Sequence, residues 1–584
     1  MNEWKVNPIR VKSGYTPAPS LRVAGAPAAS PPARNPPARN PLADAATLAA
    51  IQSAAQARDF ARAATLADEA LKSGLEHPMV LNLAALKREQ EGRFDEALQA
   101  LGRAIELAPQ DIGARNAAGL VLARLERYPE ALAMFEGVVA IQPDFAGSHC
   151  ARGTVLEALG RLKESEAAYR LTMELDPDNL GALQGLANLL SRRGAHAEAR
   201  PLAEEVLEAE PNFPDAVMVL AAADAAEGAG ERAQRRLELL AGDARLTAQQ
   251  RALAHGQLGD VLDSLDLPAE AFQAYAACNM GLWRAYSPVH GQGVSALDFT
   301  RAMLDELRRI PPSAWTSPSA WTSRSNPPAD GPKVHVFLMG FPRSGTTLLE
   351  QVLASHPEVE ALEERETLVD AQRAFLMNPS DLARLARAGE AELAPLREAY
   401  WARVRAEGAE PAGKVFVDKH PFNTFRLPLI LKLFPDAKIL FARRDPRDVT
   451  LSCYRRRFAM SSQAFQLLTL PGVAGYYDVA MRLADLLEPA MAANTLVVRH
   501  EALVESFDAV VGEVGTFLGL PWSDAVRNFA DKARDRAVAT PSGAQLSRGL
   551  SAEGVGAWRR YRDQLAPVLP TLAPWVERFG YPVE

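Results

Sequence analysis

Four prolines, Pro109, Pro143, Pro177 and Pro211, stand 34 residues apart, and other columns keep the same interval. Ala85, Gly119, Gly153 and Ala187 are small, as are Ala97, Ala131, Ser165 and Ala199, while Phe94, Tyr128 and Leu162 are large. A fixed period in Ala- and Leu-rich sequence of helical spacing leaves few architectures open. Small residues let the two helices of a hairpin approach, large ones fill the gap, and the proline begins the next unit because it cannot continue a helix. Phe60 and Ala63 upstream, and Gly259, Ala271 and Tyr275 downstream, repeat the internal offsets. About six to seven stacked hairpins are therefore expected, several of them imperfect.

This pattern resembles the tetratricopeptide repeat. The resemblance implies an all-α superhelix whose groove takes a peptide or protein partner. The rest of the composition limits the remaining choices. A chain of 584 residues is too long for one core. Net charge of -8 argues against a general nucleic-acid binder. Three widely separated cysteines, Cys150, Cys278 and Cys453, have neither metal-ligand nor disulfide spacing, which suits a cytoplasmic protein. The basic start at Lys5, Arg10 and Lys12 runs into Pro-rich polar sequence rather than an apolar core, so no signal peptide is expected, and no run of eighteen or more apolar residues suggests a membrane span.

Residues 1–43 read as a disordered Pro/Ala-rich tail in which PPARN, from Pro31, is repeated from Pro36. Residues 44–285 hold the repeats. Residues 286–332 read as an exposed linker, with SAWTS at Ser313 duplicated at Ser319 and thus Trp315 and Trp321 as a pair. From 333 to 584 apolar strand candidates recur at Val334–Met339, Val415–Val417, Lys438–Ala442 and Thr495–Val498 with helical segments between, the alternation of a parallel sheet covered by helices on both faces. In such folds ligands lie at the carboxyl ends of the strands.

The first of these strands runs into Gly340-Phe-Pro-Arg-Ser-Gly345 and then a helix from Thr346. Glycines at both ends let successive amides converge on an anion, and the helix N-terminus adds partial positive charge. The spacing is that of a P-loop, but Thr346 and Thr347 occupy the places of the Walker lysine and its hydroxyl neighbour. The cation sits inside the loop instead, as Arg343, whose fork suits phosphate or sulfate oxygens. After Lys438–Ala442, Arg444 and Ser452 lie eight residues apart across a strand-to-helix junction, placed to grip a second phosphate. Glu363, Glu364 and Glu366 offer bases near the first loop, and Lys419 follows a strand beside the same crevice.

These motifs together resemble the sulfotransferase family, whose phosphosulfate loop has this PRSGTT form in its protein-tyrosine and bacterial branches. What the resemblance implies is an α/β sulfotransferase domain using 3′-phosphoadenosine-5′-phosphosulfate and no metal. Carried over residue by residue, Arg343, Ser344, Gly345, Thr346 and Thr347 would hold the 5′-phosphosulfate. Arg444, Ser452 and Arg456 would hold the 3′-phosphate, and Ser542 and Arg548 would close over the donor. Glu364 falls where the tyrosine-sulfating enzymes carry their catalytic glutamate, and Lys419 where they carry a lysine that stabilises the transition state, with Arg343 assisting. Two positions depart from the pattern. His500 replaces the tyrosine usual before Glu501, and Ser547 stands where bacterial members commonly have arginine. Arg443, Arg447, Arg455 and Arg457 read as exposed basic surface, Glu363 and Glu366 as solvated or structural, and His420 as a packed or surface histidine.

The expectation is thus a repeat superhelix followed by a donor-binding α/β domain that transfers a sulfuryl group to a hydroxyl, with a polypeptide acceptor such as a tyrosine presented by the repeats. Glycan, lipid or small-molecule acceptors remain alternatives. A P-loop-like kinase and an inactive repeat scaffold are the rival classes.

Overall fold

The structure is a computed structural model that describes residues 41–315, 331–530 and 549–584. The tail repeat PPARN, Trp321, Ser542, Ser547 and Arg548 lie outside the described residues. The chain divides into two compact units, one reaching to Val219 and the other running from Leu220 to Glu584, with Arg192–His196 grouped with the second. No described helix is long and apolar enough to cross a membrane.

The first unit is all helix. Its helices pack chiefly on their sequence neighbours, as Pro78–Gln90 does on Phe94–Leu107 and Ala146–Ala158 on Leu162–Leu175. The period-34 prolines fall in the joints between hairpins. Pro143, for example, lies between helices Tyr128–Ile141 and Ala146–Ala158. At Gly119 and Gly153 the small residue makes room for an aromatic ring from the second helix of its hairpin, Phe135 and Tyr169 respectively. A Cβ on Gly153 would lie 2.7 Å from Tyr169 Cε1, well inside contact distance. The same device recurs in the second unit, where a Cβ on Gly259 would stand 2.5 Å from Tyr275 Cε1.

That downstream pair belongs to a last hairpin, Ala248–Ser264 and Pro268–His290, which lies within the second unit. The remainder of this unit is built on five parallel strands: β1 Val334–Met339, β2 Val359–Glu363, β3 Val415–Lys419, β4 Lys438–Arg443 and β5 Thr495–Arg499. Their order is β2-β3-β1-β4-β5. β2 was not foreseen in the sequence, where it reads as part of an acidic turn. It is an edge strand with Glu360, Ala361 and Glu363 half-exposed, and so lacks an apolar run.

Alternation along β1 divides the core. Phe337 and Met339 join the cluster on one face with Tyr400, Trp401 and Tyr477, while Val336 and Leu338 join Leu349, Val498 and Val514 on the other. Chain order leaves β1 toward β3 on one side and β4 on the other, so the carboxyl ends of β1 and β4 flank a topological switch point.

The expectation of an exposed linker is corrected in part. Ala296–Leu307 is a helix whose Met303, Leu304 and Leu307 enter the core, and Trp315 is 3% exposed in the same cluster. Spacing of i, i+1 and i+4 puts those three side chains on one helical face, a pattern hidden by the Pro/Ser-rich sequence that follows.

Candidate active site

All five strands end in a residue or loop that faces chemistry: Arg343 follows β1, Glu364 follows β2, Lys419 closes β3, Arg444 follows β4 and His500 follows β5.

The β1 loop is held from outside by its carbonyls. The Thr424 hydroxyl donates to Gly340 O, the Cys453 thiol to Pro342 O at 3.3 Å, and Arg444 Nη1 to Arg343 O at 3.2 Å. With carbonyls so engaged, the first amides of helix Thr346–Ala354 are left without intrahelical acceptors. Backbone conformation tightens the loop further, since Arg343 has φ 71° and Gly345 φ 97°, both left-handed. A non-glycine residue there is held against its preference, and Glu364, with φ 46°, is another such residue. At Gly345 a Cβ would also stand 2.7 Å from His500 Nδ1, so this position tolerates no side chain on two counts. Ser344, Thr346 and Thr347 are buried within the loop and first turn.

The two anion motifs meet directly. Arg343 Nε donates to Ser452 Oγ at 3.0 Å, joining the β1 loop to helix Pro446–Arg455. Arg444 reaches across to donate to Gly554 O as well as to Arg343 O, while its Nε and the Nδ1 of His500 are buried without hydrogen-bond partners. Burial, together with nearby Arg456 and Arg444, pushes the Arg343 guanidinium down to about 9. Burial and the same kind of neighbours, Arg444 and Arg343, push His500 down to about 3, so its imidazole is neutral at pH 7. A buried guanidinium disfavoured by its arginine neighbours, beside polar nitrogens without partners, fits a multiply anionic ligand.

The acid–base pair lies alongside. Lys419, 0% exposed, places Nζ 2.8 Å from Glu364 Oε1 and 3.3 Å from Glu363 Oε1. Register accounts for this, because Glu363 pairs with Lys419 across β2 and β3 and the Glu364 amide donates to Lys419 O at 2.8 Å. Burial raises the Glu364 carboxyl, but Lys419 more than offsets it and the net shift is downward; Lys419 is correspondingly raised. Glu366 is structural, bonded by Arg426 at 2.6 Å and 3.4 Å from His420 Nε2. His420 is packed, and its Nδ1 accepts from the Phe422 amide at 3.2 Å.

Sequence reasoning passed over what anchors this pair. Asp418, wholly buried, accepts from Thr367 Oγ1 at 2.7 Å and from Tyr400 OH at 2.9 Å, and His335 Nε2 lies 2.8 Å from the same tyrosine oxygen. The acidic turn is thereby tied to the strand that carries Lys419. The signal was present as an aspartate inside the apolar run Val415–Val417 and Lys419.

The four arginines read as exposed surface are corrected. Arg447 is buried, paired with Asp445 at 2.7 Å and laid over the Trp558 ring at 3.9 Å; Arg443 lies over Phe579 at 3.9 Å. Arg455 and Arg457 pair with Asp263 and Asp260, the latter at 2.7 Å. Each found a partner far off in sequence, which no local pattern announces. Among the described residues no group of three His, Cys, Asp or Glu side chains is placed to hold a metal ion.

Known proteins bear on both halves. The sulfotransferase family pattern matches residues 335–524, and tetratricopeptide repeat patterns match 48–112, 89–149 and 146–179. The chain therefore joins N-terminal tetratricopeptide repeats to a sulfotransferase family domain. More particularly, that domain is distantly similar to protein-tyrosine sulfotransferases: the Gallus gallus protein-tyrosine sulfotransferase 2 is 26% identical over 264 residues, 42% of this chain and 69% of the relative. An uncharacterised Aquifex aeolicus protein is 30% identical over 252 residues, 41% of this chain, and the match spans only 32% of that relative's length. A tetratricopeptide repeat protein from Parabacteroides merdae superposes with a TM-score of 0.33 at 15% identity, covering 41% of this chain and 93% of the other.

Proposed function

We propose that the second unit transfers a sulfuryl group from 3′-phosphoadenosine-5′-phosphosulfate to an acceptor hydroxyl. The single observation that carries this reading is the junction of Arg343, Ser452 and Arg444 beside the Glu364–Lys419 pair, an anion cradle with two ends and a carboxylate next to it. When bound, the donor supplies the sulfuryl group and leaves as a bisphosphate. Arg343, Ser344 and the amides from Gly345 to Thr347 hold the 5′ end, and Arg444, Ser452 and Arg456 hold the 3′-phosphate. Ser542 and Arg548 lie outside the described residues.

Glu364 takes the proton of the attacking hydroxyl. Its depressed pKa keeps it ionised at neutral pH, and its Lys419 partner has a second carboxylate, Glu363, within reach. Lys419, held protonated in a fully buried position, is the cation that meets the charge growing on the departing oxygen. Fixed cations and amides aimed at that charge need no reorganisation during the step.

The acceptor we assign is a polypeptide hydroxyl, with tyrosine the leading case. Support comes from the likeness to protein-tyrosine sulfotransferases and from the repeats, an architecture that commonly holds polypeptides. The donor assignment is tested by calorimetric titration of the full chain with adenosine 3′,5′-bisphosphate and, separately, Mg-ATP. Tight bisphosphate binding without metal is expected; preference for Mg-ATP overturns it in favour of a kinase. The acceptor assignment is tested by incubating full-length protein with labelled donor and cell lysate, where label confined to lipid or glycan fractions overturns it.

A further inference from the structure

The last repeat hairpin is joined to the anion site by a dense set of ion pairs, and those pairs straddle one residue. Helix Ala248–Ser264 carries Asp260 and Asp263 on one face, three residues apart. Asp260 Oδ2 accepts from Arg457 Nη2 at 2.7 Å, and its Oδ1 from Tyr275 OH at 3.1 Å. Asp263 accepts from Arg455 through Oδ2, and through Oδ1 from Tyr561 OH at 2.5 Å and Arg560 Nη1 at 2.9 Å. Helix Pro268–His290 adds Asn279, whose Nδ2 donates to Tyr454 O at 2.9 Å, and Phe272, stacked on the Tyr454 ring at 5.2 Å.

Every residue from Tyr454 to Arg457 except Arg456 is thus gripped by the hairpin. The Arg456 side chain makes no hydrogen bond or ion pair among the described residues. The charges divide accordingly. Burial works against all three arginines, but it is more than offset at Arg455 by Tyr275 and Asp263 and at Arg457 by Asp260, whereas at Arg456 burial prevails, Asp260 notwithstanding, and Arg457 and Arg455 add repulsion. Arg456 also acts on Arg343 across the site. An arginine held between two neutralised neighbours, four residues beyond Ser452, is the cation left for a ligand.

We propose that Asp260 and Asp263 are positioning residues of the anion site: by tying Arg457 and Arg455 to the repeat hairpin they fix the segment after Ser452 and leave Arg456 for the 3′-phosphate. This rests on the donor-site reading given above. The last hairpin is then a working part of the sulfotransferase domain rather than the end of a separate binding array.

The test uses full-length Asp260→Asn, Asp263→Asn and the double variant, titrated with adenosine 3′,5′-bisphosphate and assayed for turnover. The double variant is expected to raise the bisphosphate Kd and donor KM roughly tenfold, the scale on which outer partners tune the groups they orient, with kcat and acceptor KM unchanged. Asp266→Asn, which removes only the exposed pair with Arg560, is expected to change neither. Reversing one pair, Asp260→Arg with Arg457→Asp, is expected to restore the affinity that Asp260→Arg alone loses; should the double Asn variant not fold, this reversal decides the matter. Wild-type affinity in folded Asn variants, a fall in kcat without a rise in donor KM, or failure of the reversed pair overturns the proposal. Arg444→Ala separates the two levels. If it loses bisphosphate binding while the aspartate variants keep it, only the positioning role falls; if it keeps binding, the donor-site reading falls and takes this inference with it.

Discussion

Arginine is used in opposite ways in the two units. In the repeats Arg93, Arg127 and Arg161 recur at the 34-residue period, each paired with a glutamate three residues on: Glu96 at 2.5 Å, Glu130 at 2.6 Å and Glu164 at 2.7 Å. These pairs lie in water, with Arg161 and Glu164 45% and 47% exposed. In the second unit Arg343 and Arg444 stand near Arg456, with Arg343 bonded to the Ser452 hydroxyl and Arg444 to two carbonyls. An arginine with its own glutamate in solvent decorates a surface and contributes little to stability. An arginine that burial and neighbouring arginines disfavour, as at Arg343, marks a place where an anion is welcome. The lesson is that counting arginines says nothing; which acceptors they lack says where a ligand belongs.

The sharpest way to break the contrast is at the carboxylate beside the cluster. Glu364→Gln is expected to lower kcat by roughly 10²–10⁴, the usual worth of a general base, while bisphosphate affinity changes little. Glu363→Gln should be mild by comparison, and single-turnover assays of both variants would expose a reversed assignment. Next in size, Arg444→Ala or Ser452→Ala is expected to weaken the bisphosphate by about 1.5–3 kcal/mol, as for a charge-assisted bond, in isothermal titration. Smaller again is the effect of acid. Glu364 is held below its ordinary 4.5, so its proton-accepting form persists as pH falls until that depressed value is crossed; the acid limb of kcat/KM is expected below pH 4.5, and a limb nearer neutrality would contradict the Lys419 pairing. Smallest of all, Arg127→Ala in the repeats is expected to cost no more than about 0.5 kcal/mol by thermal or urea melting, with donor affinity untouched.

Much of this was legible in the sequence because it is local. The 34-residue interval is a regular recurrence along the chain, and the apolar run of β1, the glycine-bounded loop and the Lys419 that follows a short apolar run are each carried by residues within a few places of one another. What stayed hidden depends on tertiary pairing. β2 reads as a turn because an edge strand needs only one buried face. Asp263 and Arg455 are 192 residues apart, and nothing near either predicts the other. Trp315 sits in serine- and proline-rich sequence, and only the helix Ala296–Leu307 lying against the core makes its burial intelligible. The same ion pairs bear on where the chain is cut for experiment. Removing residues 1–285 as though they were a separate domain strips Asp260 and Asp263 from their arginines, so donor binding lost in such a fragment says nothing about acceptor presentation.

The bond between Arg343 Nε and Ser452 Oγ has a bearing on turnover that neither residue shows alone. If these groups hold opposite ends of a bisphosphate, its departure would strip an anion from buried cations, a costly step on its own. Here the cradle has something to fall back on, because the arginine and serine can bond to each other as the product leaves. On the proposed reading, release would then exchange one acceptor of Arg343 for another rather than leave its guanidinium bare.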